Sequence, residues 1–203
     1  MNIKTKKIKI KQVKTNKLFV RLMFLIGISV LLGVFYMAIL SKSNKDLVGE
    51  ELKVFFSSLN KLSYTKAFFD CFIKNSALLG FVWLLGISII GIPIIILILL
   101  FKSFLLGFSI SSILFFYKWK GLLIVITYCF PLLIELFAFL FLGYYSIIFS
   151  KNLNKMLFLK NDISFRNIMR RYIKMFIFSL ILILIGSVLE IYVVPSILSL
   201  LKI

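Results

Sequence analysis

Apolar residues in this chain fall in long unbroken runs rather than in alternation: Leu22 to Leu40, Ala77 to Tyr117, Gly121 to Phe149 and Met175 to Leu201. A helix needs about 20 apolar residues to cross a hydrocarbon core roughly 30 Å thick, whereas a membrane strand shows about ten residues of alternating character. The pattern predicts an all-α bundle of membrane-crossing helices. Ala77 to Tyr117 is long enough for two crossings and holds a single charge, Lys102. A reversal at Lys102 would leave only Ser103 to Tyr117, about 15 residues or 22 Å of helix, too short to cross. Gly91-Ile92-Pro93 is the better turn, with glycine just past one helix and proline opening the next.

The expected spans are therefore 22–40, 72–90, 93–117, 121–149 and 175–201, five in one membrane domain, with Pro131 set to kink the fourth. Residues 1–21 form a basic terminus, 41–71 an amphipathic segment and 150–174 a basic loop. Within 41–71, Val48, Leu52, Phe55, Leu59 and Leu62 recur at steps of four, three, four and three, which predicts a helix with one apolar face. Such a helix lies on the headgroup surface, packs on the bundle or docks a protein partner.

Composition agrees. With 62% hydrophobic residues, 16% charged and a mean hydropathy of +1.09, the chain is far more apolar than a soluble domain. Its formal charge of +18 does not point to nucleic acid, because the cations gather in two blocks beside apolar runs. Lys4 to Arg21 contains no acid, and Lys151 to Lys174 contains only Asp162. Flanking cations orient spans and attract anionic lipid headgroups. If the amino terminus is cytoplasmic, five passes return the second block to the cytoplasm and leave the carboxyl terminus outside; four would strand that block on the wrong side. The first run is longer than a signal-peptide core and is followed by no A-x-A site, so it is expected to be a retained anchor. Cys71, placed just before the second span, and Cys129, inside the fourth, lie at different depths and are not expected to pair.

Three ionisable residues fall at mid-depth: Lys102, Glu135 and Glu190. Each costs about 2.5 to 3.5 kcal/mol at the centre of an inserting helix, so they should face inward and pair. Lys102 is expected to pair with Glu135 or Glu190, the other carboxylate being protonated or bonded to a hydroxyl or backbone group. The cluster serves either as a packing device or as an ion or proton path, and a path usually needs more polar groups. Ser103, Gly107 and Ser111 in the third span, and Ser29 and Gly33 in the first, repeat at the spacing that lets helix backbones approach closely. Histidine is absent and no G-x-x-x-x-G-K-[ST] occurs, so zinc sites of the H-E-x-x-H type, Ser-His dyads and a P-loop are excluded. Neither cofactor, metal nor catalysis is expected.

One stretch goes further. "FIKNSALLGFVWLLGISIIGIPIIILILLFKSFLLGF", Phe72 to Phe108, resembles the stage II sporulation protein M family in Asn75, Gly86, Gly91, Pro93, Lys102 and Gly107. The basic amino terminus, the length and the order of spans are similar too. Family members often carry glycine directly after the lysine, where this chain has Ser103. Near Pro131 they tend towards Pro-Gln-Asn, where this chain has Pro131-Leu132-Leu133. The resemblance implies a non-enzymatic component of the engulfment machinery of an endospore-forming bacterium. It would anchor and localise the peptidoglycan-remodelling sporulation proteins D and P at the septal membrane, with Val48, Leu52, Phe55, Leu59 and Leu62 as a candidate partner face. The rival class is a small transporter or channel subunit using Lys102, Glu135 and Glu190.

Overall fold

The computed structural model describes residues 3–59, 64–88, 90–159 and 165–200. They are helical almost throughout: α1 (Ile3–Ile39), α2 (Lys42–Leu59), α3 (Tyr64–Leu85), α4 (Gly91–Leu159), α5 (Phe165–Val188), a π-helical turn (Leu189–Val193) and α6 (Val194–Leu200). Four of these stretches are long and apolar enough to cross a membrane, and one of them, Gly91–Met156, runs for 66 residues. That one is a hairpin. Its helical dihedrals break at Lys118 (φ 48°, ψ −123°), and contacts pair outwards from there in antiparallel register: Ile113 with Ile124, Lys102 with Phe139, Leu99 with Gly143.

We call 91–117 the first arm and 119–159 the second. Pro131 does not supply the break; the backbone around it stays helical. Lys118 does, in a backbone region that costs a side chain roughly 1 to 3 kcal/mol and that glycine tolerates. Lys118→Gly is therefore expected to stabilise the bundle by about 1 kcal/mol, read as a higher thermal midpoint in detergent. A lowered midpoint would show that the lysine contributes more than the strain removes.

Helix directions alternate along the chain. α1 lies parallel to the first arm, since the Ser29 hydroxyl donates to the Leu100 carbonyl (2.6 Å) and Ser111 to that of Val34 (3.4 Å). α3 lies parallel to the second arm, where Asn75 meets Glu135 and Val82 meets Ser146. α5 runs against the second arm, pairing Phe141 with Phe178 and Phe149 with Tyr172. The interior is filled by Leu79, Val82, Ile95, Leu99, Phe139 and Ile183, while Phe24, Leu31, Leu97, Phe101 and Ile126 stand exposed on the outside. An apolar exterior around an apolar core is what lipid solvent selects.

Small residues let α1 and the first arm touch backbone to backbone. A Cβ on Gly33 would collide with the Phe104 carbonyl, and one on Gly107 with the Val30 carbonyl. Ser103 is buried and turns its hydroxyl back to the Leu99 carbonyl (2.7 Å).

Several boundaries differ from the pattern-based expectation: α4 runs on to Leu159 and α5 begins at Phe165, so most of the expected basic loop 150–174 is helical. α3 begins at Tyr64 and ends at Leu85 rather than covering 72–90, which puts Cys71 inside the helix. Gly91 opens the next helix and does not follow a left-handed cap; no glycine here has positive φ. Its need is space, because a Cβ would collide with the Leu85 carbonyl. Pro93 sits exposed in the first turn, where a missing N–H costs nothing. At the other end the expected single helix 175–201 is interrupted by the π turn, whose Val194 N–H reaches Leu189 O. Pro195 follows at once, lacking an N–H for a regular turn, and the widened turn accommodates it.

α2 folds over the ends of the two arms. Ser41 Oγ accepts the Asn44 N–H at 3.4 Å, and Lys45 Nζ donates to the Ala38 carbonyl at 3.0 Å while lying over the Phe115 ring. Gly49 fits against Phe116, and Leu52 packs on the cluster of Ile113, Ile124 and Val194. Val48 and Leu52 are thus half-buried on the bundle side, while Leu47, Glu50, Glu51 and Val54 are exposed. The side chains of Phe55 and Leu59, and all of Leu62, lie outside the described residues.

Candidate functional site

Four helical segments bring polar side chains to one point in the apolar interior. α3 supplies Cys71 and Asn75, one helical turn apart on the same face. The first arm supplies Lys102, the second Tyr128 and Glu135, and α5 with its π turn supplies Ser187 and Glu190. Lys102 Nζ donates to Asn75 Oδ1 at 2.6 Å, and Asn75 Nδ2 donates to Glu135 Oε1 at 2.9 Å. The ammonium and the Glu135 carboxylate approach to 3.9 Å. The ion pair is therefore bridged by an amide that uses both ends, as a carboxamide with one acceptor and two donors can. Phe139 closes it from one side, its ring centroid 4.3 Å from Nζ. Gly186 leaves room for the acid, since a Cβ there would stand 2.8 Å from Glu135 Cγ.

Glu190 belongs to the other half. Its Oε2 accepts the Cys71 thiol at 3.2 Å and its Oε1 the Tyr128 hydroxyl at 3.4 Å. Cys71 also lies 3.6 Å from Asn75 Nδ2 and 3.7 Å from Ser187 Oγ, which ties the halves together. Lys102 thus sits with Glu135 through Asn75, while Glu190 is met by a hydroxyl and a thiol. One ligand atom from each of Cys71, Glu135 and Glu190 lies within 4.8 Å of the others, so these three could together hold a cation. Chemically the cluster offers a half-buried cation, two carboxylates and a thiol; it contains no nucleophile-base pair aimed at an open cleft.

A second polar knot closes the end of α3. Tyr172 OH donates to the Trp83 carbonyl at 2.6 Å and lies 2.8 Å from Ser146 Oγ, and Ser150 Oγ donates to the Ser88 carbonyl at 3.0 Å. These hydroxyls add a side-chain donor to carbonyls that the turns after α3 already engage, Trp83 O with the Gly86 N–H (3.2 Å) and Ser88 O with the Gly91 N–H (3.3 Å). Gly86 is the close-packed point, where a Cβ would collide with Tyr172 OH. α3 gives way there to tighter turns, with the Ile87 N–H on Leu84 O and the Ser88 N–H on Leu85 O (both 3.1 Å), and the knot packs against them.

Among the residues singled out by sequence, Asn75, Lys102, Glu135 and Glu190 meet in the cluster. Ser103, Gly107, Gly86 and Gly91 sit at close helix approaches, Pro131 is buried beside Gly186, and Val48 and Leu52 lie apart on α2. Cys71, Tyr128, Ser187 and Tyr172 were not singled out. A signal existed for three of them: Cys71 lies four residues before Asn75, Tyr128 seven before Glu135 and Ser187 three before Glu190, all same-face helical spacings.

The model of one family, Stage II sporulation protein M, matches residues 18–195. The chain belongs to that family. It is a sporulation-related membrane protein, and the stage II sporulation protein M family is not one of known enzymes. No curated protein and no solved structure gives a significant match. The positions that carried the likeness to the family now have physical roles: Asn75 and Lys102 build the bridged ion pair, Gly107 the α1 crossing, Gly86 and Gly91 the tight connection between α3 and α4.

Proposed function

We propose that this chain is a five-pass membrane scaffold that holds peptidoglycan-remodelling proteins, sporulation proteins D and P, at the septal membrane during engulfment, and that it catalyses nothing itself. The observation that carries this is the family match over residues 18–195. The interior supports it: the polar groups of the cluster are spent on one another, tying four helical segments together. The alternating helix directions and the two cation blocks, one before the first span and one before the last, favour five passes, with the amino terminus in the cytoplasm and the carboxyl terminus outside. A reporter fused to the carboxyl terminus is then active only outside the cell; activity inside would remove the fifth pass.

In this reading Val48 and Leu52 seat α2 on the bundle, and the opposite face, with Leu47, Glu50 and Glu51, meets the partner outside the membrane. Affinity capture of the tagged chain from solubilised membranes of sporulating cells is expected to enrich both remodelling proteins, and Glu50→Lys/Glu51→Lys to weaken that enrichment severalfold. Absence of both proteins from the capture, in membranes that contain them, would overturn the proposal.

One observation favours a second reading, an ion or proton path: two carboxylates and a lysine in the same half-buried cluster. It predicts a flux through vesicles containing the purified chain that is lost in Glu135→Gln, where the scaffold predicts no flux at all.

A further inference from the structure

Beyond the polar cluster, the first turns of α5 carry a second organised surface. Arg166, Arg170 and Lys174 follow one another at steps of four, and Phe165, Met169 and Ile173 do the same one position earlier. In a helix these become two adjacent stripes, one cationic and one apolar. Together they line a groove of ≈ 420 Å³. All but Met169 are exposed, and among the described residues none of the three cations is paired with a carboxylate.

The depth of the groove identifies what fills it. From Met175 to Leu189 the chain carries no charge, so Lys174 marks the edge of the hydrocarbon. Arg166 lies eight residues further out, roughly 12 Å along the axis, a rise that passes through a headgroup layer of about 5 to 8 Å. At that depth the cations meet lipid phosphates, and the apolar stripe stays bare unless something apolar covers it. A free phosphate would satisfy the cations alone. A zwitterionic lipid would bring its own ammonium against them. An anionic phospholipid offers both complements, a phosphate without a compensating positive charge and an acyl chain.

We propose that this groove binds one anionic phospholipid, its phosphate held by Arg170 and Lys174 with Arg166 above, and an acyl chain laid along Ile173 and Met169. Guanidinium groups suit this because they can grip phosphate oxygens two at a time. The site does not depend on the scaffold reading.

The test is native mass spectrometry of the full chain in detergent with phosphatidylglycerol or phosphatidylcholine of equal acyl length. One phosphatidylglycerol is expected to be retained under conditions that strip phosphatidylcholine, and Arg170→Gln/Lys174→Gln to reduce that retention by at least about fivefold. Lys151→Gln/Lys155→Gln removes the same formal charge at exposed positions and is expected to leave it unchanged. Arg170→Gln alone should shift retention in the same direction, which covers misfolding of the double variant. Equal retention of the two lipids, equal loss in both double variants, or displacement of the lipid by inorganic phosphate would each overturn the proposal.

Discussion

Lys102→Leu is expected to destabilise the bundle by about 3 to 5 kcal/mol, because it leaves the buried Glu135 carboxylate and the Asn75 amide without their cation. Glu135→Leu should cost a similar amount by stranding the ammonium. The double variant Lys102→Leu/Glu135→Leu is expected to recover most of the loss, since replacing both members of a buried pair by apolar groups is close to neutral where removing one is not. Exchanging the charges, Lys102→Glu with Glu135→Lys, should rescue partly, as Asn75 would have to turn its amide round. The same exchange between Lys102 and Glu190 should rescue nothing, because the carboxylate of Glu190 is met by Tyr128 and Cys71 instead. Denaturation in mixed micelles gives these values, and equal rescue by both exchanges would contradict the amide-bridged geometry.

Gly107→Val stands second. Its Cβ would enter the Val30 carbonyl, a backbone group that cannot swing aside, so α1 and the first arm must separate. Overpacking of this kind costs roughly 1 to 3 kcal/mol, and the loss of the Ser29 and Ser111 bonds across the same crossing adds to it. Gly33→Val should behave alike at the Phe104 carbonyl. Gly27 and Gly80 are the controls: nothing lies within 4 Å of a Cβ at either, so alanine there is expected to be neutral or to stabilise through helix propensity. Midpoints that fall as far for Gly80→Ala as for Gly107→Val would show that the crossing is not the cause.

Much of this was legible beforehand, for identifiable reasons. Hydrophobic run length exposed the helices, since lipid forces every apolar surface to be written into the sequence. The stripes Ser103-Gly107-Ser111 and Ser29-Gly33 foretold the tight crossing, because only small side chains permit it. Lys102, Glu135 and Glu190 were conspicuous as charges in apolar surroundings. The reversal after Tyr117 followed from length alone, yet the residue that makes it, Lys118, carries no glycine-like mark. Cys71 was placed outside the span because Lys66, Asp70 and Lys74 lower local hydropathy at the start of α3, although the helix is already formed there. The apolar face of α2 was visible by period, but period cannot say whether bundle or partner covers it; the described part is covered by Ile113, Ile124 and Val194.

If the buried charges serve cohesion and the chain works by holding others, charge inside the bundle is dispensable once it is removed in matched pairs. The decisive measurement is engulfment in sporulating cells whose only copy is Lys102→Leu/Glu135→Leu, with membrane insertion checked at the wild-type level. Engulfment close to wild type, with the remodelling proteins still captured, is the expected result. A correctly inserted double variant that fails to support engulfment would mean that the ammonium and carboxylate do more than hold helices together, and the scaffold reading would fall.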